Sequence, residues 1–500
     1  MQTVHEQFFD TADLLQGKPL FQRPGKAAIS FAQMRELVER MAGALTELEV
    51  GKGDRVAVQI EKSPEAIALY LATLHVGGIF LPLNTAYTTA EIDYFVGDAA
   101  PRVFVCDPAR LHENLGRATA DLRVETLGAE GDGTLMERAA AATPREDGTK
   151  LGPDDRAAIL YTSGTTGRSK GAVLTHRNLA SNTMALLDCW QFTADDRLIH
   201  ALPIFHTHGL FVAANMALVS GATMIFLTKF DAEEAITLME NATVLMGVPT
   251  FYTRLLKSPR LSQETTSNMR LFVSGSAPLL AEDHRAFETR TGKAILERYG
   301  MTETCMIASN PYDGARIPGA VGMALPEISI RICDRETGAQ LPAGEVGLIE
   351  VKGPNVFEGY WNMPEKTAAE FRKDGYFITG DLGRVDEDGY FFITDRLKRM
   401  INASGFKVWP AEVEALMFRH PAIQEACIIA AKDSYRGETV KAVVVLRATH
   451  QDTTEQQIID WCRENMAVYK VPRIVQFVAA LPKSGSGKVM WRALQEQEAQ

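Results

Sequence analysis

The stretch that decides the fold runs Tyr161-Thr-Ser-Gly-Thr-Thr-Gly-Arg-Ser-Lys170-Gly171-Ala172. It follows the apolar run Ala157–Leu160, which predicts a buried strand. Its glycines permit tight turns and close approach of the backbone to a ligand, and its hydroxyls and two cations supply donors and positive charge. This combination indicates a loop that wraps a polyphosphate, whereas the alternative is an ordinary turn with solvated cations. The loop is not of the Gly-x-x-x-x-Gly-Lys-Ser/Thr type, because that pattern cannot be aligned here.

Four further segments with chemical character follow this loop along the chain. They are Tyr299-Gly-Met-Thr-Glu303, Thr379-Gly-Asp381, the polar segment from Asp395 to Glu414, and the C-terminal loop Leu481-Pro-Lys-Ser-Gly-Ser-Gly-Lys488. Each one alone is a common kind of turn or loop, but the fixed order makes the set specific.

These five segments together resemble the adenylate-forming (ANL) superfamily of acyl-CoA synthetases, peptide-synthetase adenylation domains and firefly-type luciferases. The resemblance covers essentially the whole chain. Within the superfamily the chain is most similar to the malonyl-CoA synthetases, on Phe205–Phe211, Val244–Leu256 and Leu296–Thr304. The hinge and the segment Arg436–Lys441 are more similar to fatty acyl-CoA ligases. The segment 395–414 departs from the commonest pattern, since Asp395 stands for a glycine and Arg399 for an acid.

Composition and charge favour a globular protein in a reducing compartment. The chain has 500 residues with 46% hydrophobic and 23% charged side chains, and 63 acids against 52 Lys and Arg give a net charge of −11. This charge argues against general attraction to nucleic acid or to anionic lipid. The six cysteines have no paired spacing, which favours buried reduced thiols over disulfides or zinc. No secretion signal is visible, so we expect a cytoplasmic protein without stable membrane insertion.

The order of apolar runs predicts an α/β protein with layered, largely parallel sheets. Helical runs such as Pro64–Leu74 alternate with short apolar strands such as Val56–Val58 and Ile79–Leu83. We expect a large N-terminal adenylation domain over residues 1–394, with a β-rich subdomain at about 325–394. By resemblance, residues 395–500 form a small mobile α+β domain with its hinge near Lys398. The uncharged run Gly209–Thr228 is long enough to span a membrane, but polar residues interrupt it and favour a buried helix followed by a strand.

The resemblance implies roles for individual residues. His206, Thr302, Glu303 and Lys488 are the expected catalytic residues, with Glu303 as the Mg²⁺ ligand. The ATP site is expected to comprise Thr162, Ser163, Gly164, Thr165, Thr166, Gly167, Lys170, Ser276, Ala277, Tyr299, Thr302, Asp381 and Arg396. The acid is expected at His206, Arg254 and Ser274, coenzyme A at Ser404 and Gly405, and the hinge at Lys398.

Two of these assignments have plain structural alternatives. His206 belongs to His206-Thr-His208, and no further ligand at suitable spacing supports a metal there, so its alternative is a histidine packed in a turn. Arg254 is expected at the start of a helix as a bidentate clamp for a second carboxylate, and its alternative is a solvated arginine.

The expected function is ATP-dependent ligation of a carboxylic acid to coenzyme A through an acyl-adenylate, with release of AMP and pyrophosphate. The resemblance favours malonate or methylmalonate as the acid. The alternatives are a medium- or long-chain fatty acyl-CoA ligase, with Arg254 outside an apolar pocket, and an adenylation module that loads a carrier protein. ATP, Mg²⁺ and coenzyme A are the expected cofactors and substrates. A lysine acetyltransferase acting on Lys488 is the expected protein partner.

Overall fold

The computed structural model describes residues 2–162, 169–396, 399–403, 406–433, 437–484 and 487–499. The chain forms two compact units. The first contains Met1–Ile330 and Val351–Phe377, and the second contains Arg331–Glu350 and Ile378–Gln500. Residues 378–394, which the sequence assigned to the N-terminal domain, thus cluster with the second unit. The domain boundary at residue 395 stays a prediction, and the predicted hinge residue Lys398 lies outside the described residues.

The helices and strands alternate along most of the first unit, as the sequence predicted. The helices are α1 Val4–Leu15, α2 Phe31–Glu47, α3 Pro64–His75, α4 Thr89–Ala99, α5 Leu111–Asn114, α6 Thr134–Ala141, α7 His176–Cys189, α8 Asn215–Ser220, α9 Ala232–Leu238, α10 Pro249–Lys257, α11 Ala281–Thr291, α12 Pro364–Glu370, α13 Pro410–Met417, α14 Glu455–Asn465 and α15 Trp491–Ala499, with a π-helix at His208–Ala214. The strands are β1 Pro19–Gln22, β2 Ile29–Ser30, β3 Arg55–Gln59, β4 Ile79–Pro82, β5 Val103–Cys106, β6 Arg123–Thr126, β7 Arg156–Thr162, β8 Lys170–Thr175, β9 Arg197–His200, β10 Thr223–Phe226, β11 Val244–Gly247, β12 Leu271–Ser274, β13 Leu296–Met301, β14 Cys305–Ser309, β15 Met323–Ala324, β16 Ser329–Cys333, β17 Gly347–Lys352, β18 Gly359–Tyr360, β19 Phe377–Val385, β20 Phe391–Arg396, β21 Ile401–Ala403, β22 Phe406–Val408, β23 Ile423–Asp433, β24 Gly437–Leu446 and β25 Ile474–Phe477.

A seven-stranded sheet carries the phosphate-loop stretch. Its order is β18-β8-β7-β4-β3-β5-β6. Strands β7, β4, β3, β5 and β6 run parallel to their neighbours, whereas β7 and β8 form an antiparallel hairpin. The parallel strands are continuous apolar runs because both of their faces are covered. The predicted strand at Ala157–Leu160 is therefore confirmed as part of β7.

A nine-stranded sheet carries the Tyr299–Glu303 motif and most of the predicted acid-binding residues. Its order is β15-β14-β13-β12-β11-β9-β10-β1-β2. Strands β1, β10, β9, β11, β12 and β13 are parallel, and β14 and β15 continue antiparallel beyond β13. In parallel sheets ligands bind beyond the carboxyl ends of the strands, and the loops after β9, β12 and β13 lie at such ends.

Helices and sheets of the first unit share one large hydrophobic core. Helix α3 is buried along almost its whole length, from Pro64 to His75, so it is covered on all sides. The uncharged run Gly209–Thr228 forms the buried π-helix, α8 and strand β10, which confirms a buried helix followed by a strand. In the part of the chain that the structure describes, we find no helix with the length and apolarity needed to cross a membrane.

The second unit has a core of its own beneath the sheet β22-β21-β24-β23, with β25 paired to β24. Residues 410–477 run helix, strand, strand, helix and strand, as α13, β23, β24, α14 and β25, in agreement with the predicted α+β character of the C-terminal region. A four-stranded sheet, β16-β17-β19-β20, also lies mostly in this unit. The described cysteines are all free, as predicted, and all but Cys189 are buried.

Candidate adenylation and acid-binding site

The two ends of the phosphate loop meet in the β7–β8 hairpin. Thr162 ends β7, Lys170 begins β8, and the two residues are paired across the ladder. The Thr162 hydroxyl lies 3.4 Å from the carbonyl oxygen of Lys170. The other predicted loop residues, Ser163, Gly164, Thr165, Thr166 and Gly167, lie outside the described residues. The structure therefore places the base of the loop at the end of a buried strand, where the sequence predicted it.

Lys170 contacts a carboxylate rather than standing alone. Its Nζ lies 3.2 Å from Oε1 of Glu370 on α12 and 3.8 Å from the centre of the Tyr360 ring. Lys366 approaches the same Oε1 at 2.8 Å. Burial opposes ionisation of Glu370, but Lys366, Tyr360 and Lys170 together hold the pKa of this carboxyl below its ordinary value. Glu370 is thus a charged partner of Lys170. If Lys170 binds ATP, its ammonium leaves this carboxylate and contacts phosphate oxygens instead.

Tyr360 connects this pair to Glu303. The Tyr360 hydroxyl lies 3.0 Å from Oε1 of Glu303 and 2.6 Å from Oε2 of Glu370. Glu303 is buried, and burial raises the pKa of its carboxyl above the ordinary value in spite of the tyrosine hydroxyl. A hydroxyl has one proton to share between the two carboxylates, so Tyr360 couples the position of one to that of the other.

The surroundings of Glu303 fit the Mg²⁺ ion that the superfamily implies. Mg²⁺ prefers one or two carboxylates together with phosphate oxygens rather than an all-protein cage. A buried carboxylate whose ionised form is disfavoured gains most from a nearby divalent cation. Among the described residues we find no cluster of three or more His, Cys, Asp or Glu that could hold a metal ion.

The turn between β13 and β14 brings Tyr299, Thr302 and Glu303 together. Tyr299 lies within β13, and Thr302 and Glu303 form the turn before β14. A Cβ on Gly300 would lie 2.0 Å from the Cys305 carbonyl oxygen, so only glycine permits this hairpin to close. Tyr299 and Thr302 are half-buried and Glu303 is buried, so the ring and the hydroxyl are accessible while the carboxylate lies deeper.

A second group of polar side chains converges beyond β9, β12 and β13. Nδ1 of His208 lies 3.3 Å from the Ser276 hydroxyl, and Nη2 of Arg298 lies 3.5 Å from the same oxygen. Ser276 has a positive φ of 72°. A Cβ on Gly275 would lie 2.4 Å from the Arg298 guanidinium, so glycine lets the chain pass directly over this cation. Ala277, predicted beside the adenine, follows in the same loop and is half-buried.

Several polar atoms of this group are buried and have no hydrogen-bond partner among the residues that the structure describes. They are Nε of Arg298, Nε2 of His208, Nε2 of His206 and the hydroxyl of Ser274. Unpaired buried polar atoms are costly and call for a structural or functional explanation. Two of the three predicted acid-binding residues, His206 and Ser274, are among them, so this group is the better-supported candidate acid site.

Arg298 is the electrostatic centre of this group. It is 4% exposed and forms no ion pair with any residue that the structure describes. Burial lowers the pKa of its guanidinium from 12.5 to about 9. Burial also lowers the pKa of His206 to about 4, and burial and the Arg298 charge lower the pKa of His208. The histidines are therefore neutral at pH 7, and a carboxylate is the partner that the guanidinium lacks.

Arg254 is placed differently from its prediction. It lies in the last turn of α10, not at the start of that helix. It is exposed, and its guanidinium lies 4.9 Å from the centre of the Phe230 ring, which in turn stacks on Phe251 at 3.8 Å. The structure shows no bond from Arg254 to His206, Ser274 or Arg298 within the described residues. Its role as carboxylate clamp stays a prediction.

The remaining predicted residues belong to the second unit. Asp381 on β19 is buried, and its amide N–H donates to the Thr379 hydroxyl at 3.1 Å. Lys488 is exposed, and its amide N–H donates to the Ser484 hydroxyl at 3.3 Å. Strand β20 includes Arg396, but its side chain is not among the described ones, and Ser404 and Gly405 lie outside the described residues.

The two unusual residues of the hinge segment have defined contacts within the second unit. Asp395 is buried and its Oδ2 accepts a 2.7 Å hydrogen bond from the Ala411 amide at the start of α13. Arg399 pairs with Glu414 of the same helix. Asp395 and Arg399, the two residues that depart from the commonest pattern, therefore both attach the segment to α13.

Sequence reasoning missed three residues of these groups: Arg298, Tyr360 and Glu370. The available signal for Arg298 was a charged side chain within the strand pattern Leu296–Tyr299, directly before the recognised motif. Tyr360 and Glu370 gave no comparable signal, because Glu370 lies 200 residues from Lys170 along the chain.

Comparisons with known proteins agree with this geometry. Residues 8–361 match the family model of the AMP-binding enzymes, and residues 412–488 match the model of the AMP-binding enzyme C-terminal domain. A crystal structure of ATP-bound MatB from Rhodopseudomonas palustris is 52% identical, with a TM-score of 0.94 over 99% of both chains. A long-chain-fatty-acid–CoA ligase of Bacillus subtilis is 34% identical over 95% of this chain and 92% of its own. A malonate–CoA ligase of Arabidopsis thaliana is 33% identical over 89% of this chain and 78% of its own.

The fold and the site therefore define an adenylate-forming enzyme of the AMP-forming acid–thiol ligase class. The chain belongs to the family of AMP-binding enzymes, within the ANL superfamily that its sequence resembles.

Proposed function

We propose that this enzyme activates malonate or methylmalonate with ATP and transfers the acyl group to coenzyme A. The observation that carries this proposal is Arg298, a buried cation without a carboxylate partner among the described residues. One carboxylate of a dicarboxylic acid reacts at the α-phosphate, and the other must be paired when it enters a closed pocket. Arg298, with the Ser276 hydroxyl and His208 beside it, supplies that pair.

The two curated relatives alone do not decide the acid, since a fatty-acid ligase and a malonate ligase are similarly identical to this chain. The 52% identity to MatB, a malonyl-CoA synthetase, favours malonate. The charge of the candidate site supports the same acid. A long aliphatic chain would leave the Arg298 guanidinium buried beside apolar carbon and without compensation, which costs several kcal/mol. The exposed position of Arg254 alone would suit a fatty acid, but Arg298 gives the pocket a cation that Arg254 does not.

In the first half-reaction, an oxygen of the acid's carboxylate forms a bond to the α-phosphorus of ATP, and the bond from that phosphorus to the departing pyrophosphate breaks. No general base is required, because the attacking carboxylate is already ionised. Negative charge accumulates around the phosphoryl oxygens, so positive charge and hydrogen-bond donors must surround them. Thr302 supplies a hydroxyl, Lys488 a mobile ammonium, and Lys170 with its loop holds the β- and γ-phosphates. Glu303 would hold the Mg²⁺, which supplies further neutralisation of phosphate charge.

In the second half-reaction, the sulfur of coenzyme A forms a bond to the acyl carbon, the bond from that carbon to the AMP oxygen breaks, and the thiol proton passes to solvent as AMP leaves. By resemblance to the superfamily, Lys488 has left the site before this step, so we propose that it is not required for it. We propose that the C-terminal domain turns about Lys398 between the two steps and brings Ser404 and Gly405 to the thiol. Asp381 and Arg396 hold the ribose and the nucleotide in this scheme.

A substrate comparison tests the proposal. AMP release is measured with and without coenzyme A for malonate, methylmalonate, acetate and octanoate. We expect malonate or methylmalonate to have a kcat/KM at least about thirtyfold above acetate and octanoate, since a lost buried charge pair costs about 2–5 kcal/mol. A preference for octanoate would establish the fatty-acid alternative. AMP release at a rate that does not depend on coenzyme A, together with acylation of a carrier-protein thiol, would establish the carrier-loading alternative.

A further inference from the structure

Lys62 is a buried lysine at the carboxyl ends of β9 and β10. Its side chain is 7% exposed, and its Nζ bonds to Nδ1 of His200 at 2.8 Å, to the His200 carbonyl at 2.8 Å and to the Leu227 carbonyl at 2.7 Å. The ammonium also lies 4.2 Å from the centre of the Phe226 ring. Within the described residues it has no carboxylate partner. All three N–H donors of the ammonium have an acceptor, so the surroundings match a lysine side chain at this position.

The hydrogen bonds around His200 assign its tautomer. An ammonium has no acceptor, so Nδ1 accepts from Lys62. Nε2 therefore carries the proton and donates to the Gly209 carbonyl, 2.8 Å away. Without Lys62, Nδ1 and the carbonyl of His200 would both lose their shared donor. A proton moved to Nδ1 could then be donated to the His200 carbonyl oxygen, but Nε2 would no longer donate to the Gly209 carbonyl.

Gly209 belongs to the turn that carries the acid-binding histidines. It is the second residue of the π-helix, directly after His206, Thr207 and His208. Its packing is tight, since a Cβ would lie 2.0 Å from the Pro203 carbonyl oxygen. π-Helical turns are stabilised by their surroundings and occur often at functional sites. The Gly209 carbonyl is thus the point at which the His200 ring holds this turn against the sheet.

We propose that Lys62 is a positioning residue for acid binding: its ammonium keeps the proton of His200 on Nε2, and the bond from Nε2 to the Gly209 carbonyl holds the turn that presents His206 and His208 to the acid. This inference rests on the proposed function in one respect, namely that the acid binds beside His208. It does not require that the acid is malonate.

The test uses the full-length enzyme and the acid that the wild type activates best among malonate, methylmalonate, acetate and octanoate. The result therefore does not depend on whether the enzyme prefers a dicarboxylic acid. Lys62→Met should raise KM for the acid by about tenfold, the effect of losing one buried hydrogen bond at a charged group. KM for ATP should change less than about twofold. Adding His200→Gln should bring KM for the acid back to within about threefold of wild type, because an amide N–H donates to Gly209 without a tautomer to lose.

Two variants act as controls. Lys18→Met removes an equivalent lysine from the amino ends of the same two strands, where Lys18 bonds to the Ala194 and Gly221 carbonyls. It should lower the melting temperature and leave KM for the acid unchanged. The asparagine of His200→Asn is too short to reach the Gly209 carbonyl, so this variant should raise KM for the acid as Lys62→Met does. If Lys62→Met does not fold, the test compares the single variants His200→Asn and His200→Gln instead.

Three results would overturn the proposal: an unchanged KM for the acid in Lys62→Met, an equal rise in KM for acid and ATP, or no recovery on adding His200→Gln. If Lys62→Met does not fold, equal KM values for His200→Asn and His200→Gln would overturn it. An enzyme that prefers octanoate would refute the dicarboxylate assignment but leave this comparison intact.

Discussion

Replacing Arg298 by methionine removes the charge of the acid site while keeping most of its volume. Burial lowers the pKa of Arg298 well below its ordinary value, to about 9. This corresponds to roughly 5 kcal/mol of unfavourable burial of the charge, at about 1.4 kcal/mol per tenfold change in proton affinity. Exchanging an uncompensated buried charge for an apolar side chain is often neutral or stabilising. We therefore expect Arg298→Met to melt at or above the wild-type temperature.

The same variant should lose the dicarboxylic acid. Removing one partner of a buried charge pair costs about 2–5 kcal/mol, so kcat/KM for malonate should fall by at least about thirtyfold, with KM for ATP little changed. Butyrate, which has no second carboxylate, should lose little or gain. Lysine at 298 should restore only part of the malonate activity, because a point charge does not reproduce the two parallel bonds of a guanidinium.

The assay is coenzyme-A-dependent AMP release, combined with thermal unfolding of each variant. Arg270→Met is the matched control, since Arg270 is an arginine of the same unit that already has its carboxylate, Asp196, at 2.6 Å. That control should be less stable than wild type and keep its preference for malonate. Equal losses with malonate and butyrate in Arg298→Met would show that Arg298 is structural, and unchanged malonate activity would refute the dicarboxylate site.

Three further predictions concern residues whose roles the structure leaves as proposals. Arg254→Ala should lower kcat/KM for malonate by less than about tenfold if Arg298 is the main carboxylate partner, because Arg254 is exposed; a loss of a hundredfold or more, with butyrate spared, would restore Arg254 as the clamp. Lys488→Ala should abolish acyl-adenylate formation and leave thioester formation from supplied acyl-AMP largely intact, and Lys488→Gln, which imitates acetylation, should do the same; equal loss in both half-reactions contradicts the role. Glu370→Gln should tighten metal-free ATP binding by roughly fivefold (~1 kcal/mol), since Lys170 no longer has to leave a carboxylate; calorimetry that shows weaker binding would contradict this.

The regular elements could be predicted from the sequence because they depend on local patterns. The apolar runs at Ile79–Pro82 and Val244–Gly247 became strands, and Pro64, with Ser63 before it, begins a helix as its residue type favours. Helix α15 was missed, because its first residue Trp491 follows a glycine-rich loop and most of its later residues are polar.

Residues of the candidate site could be predicted only where they lie close together in one sequence motif. Thr302 and Glu303 lie in one turn, so a sequence match places both. Contacts that join distant parts of the chain gave no such signal. Glu370 lies 67 residues beyond Glu303 along the chain, and only the folded β18–α12 segment brings it to the Tyr360 hydroxyl. Lys62 likewise looks like any surface lysine before a helix, until strands β9 and β10 place two carbonyls and an imidazole around it.

Under the proposed function, the buried cations Lys62 and Arg298 explain how a protein with a net charge of −11 selects an acidic substrate. Surface carboxylates are solvated, and salt screens their potential within about 10 Å. A cation in a desolvated pocket is screened far less, so its interaction with a carboxylate outweighs many exposed charges. We propose that Arg298 contacts the acid directly, whereas Lys62 acts through His200 and Gly209. On this proposal, the choice of acid depends on buried residues that overall composition does not reveal, and a change of surface charge should leave that choice intact.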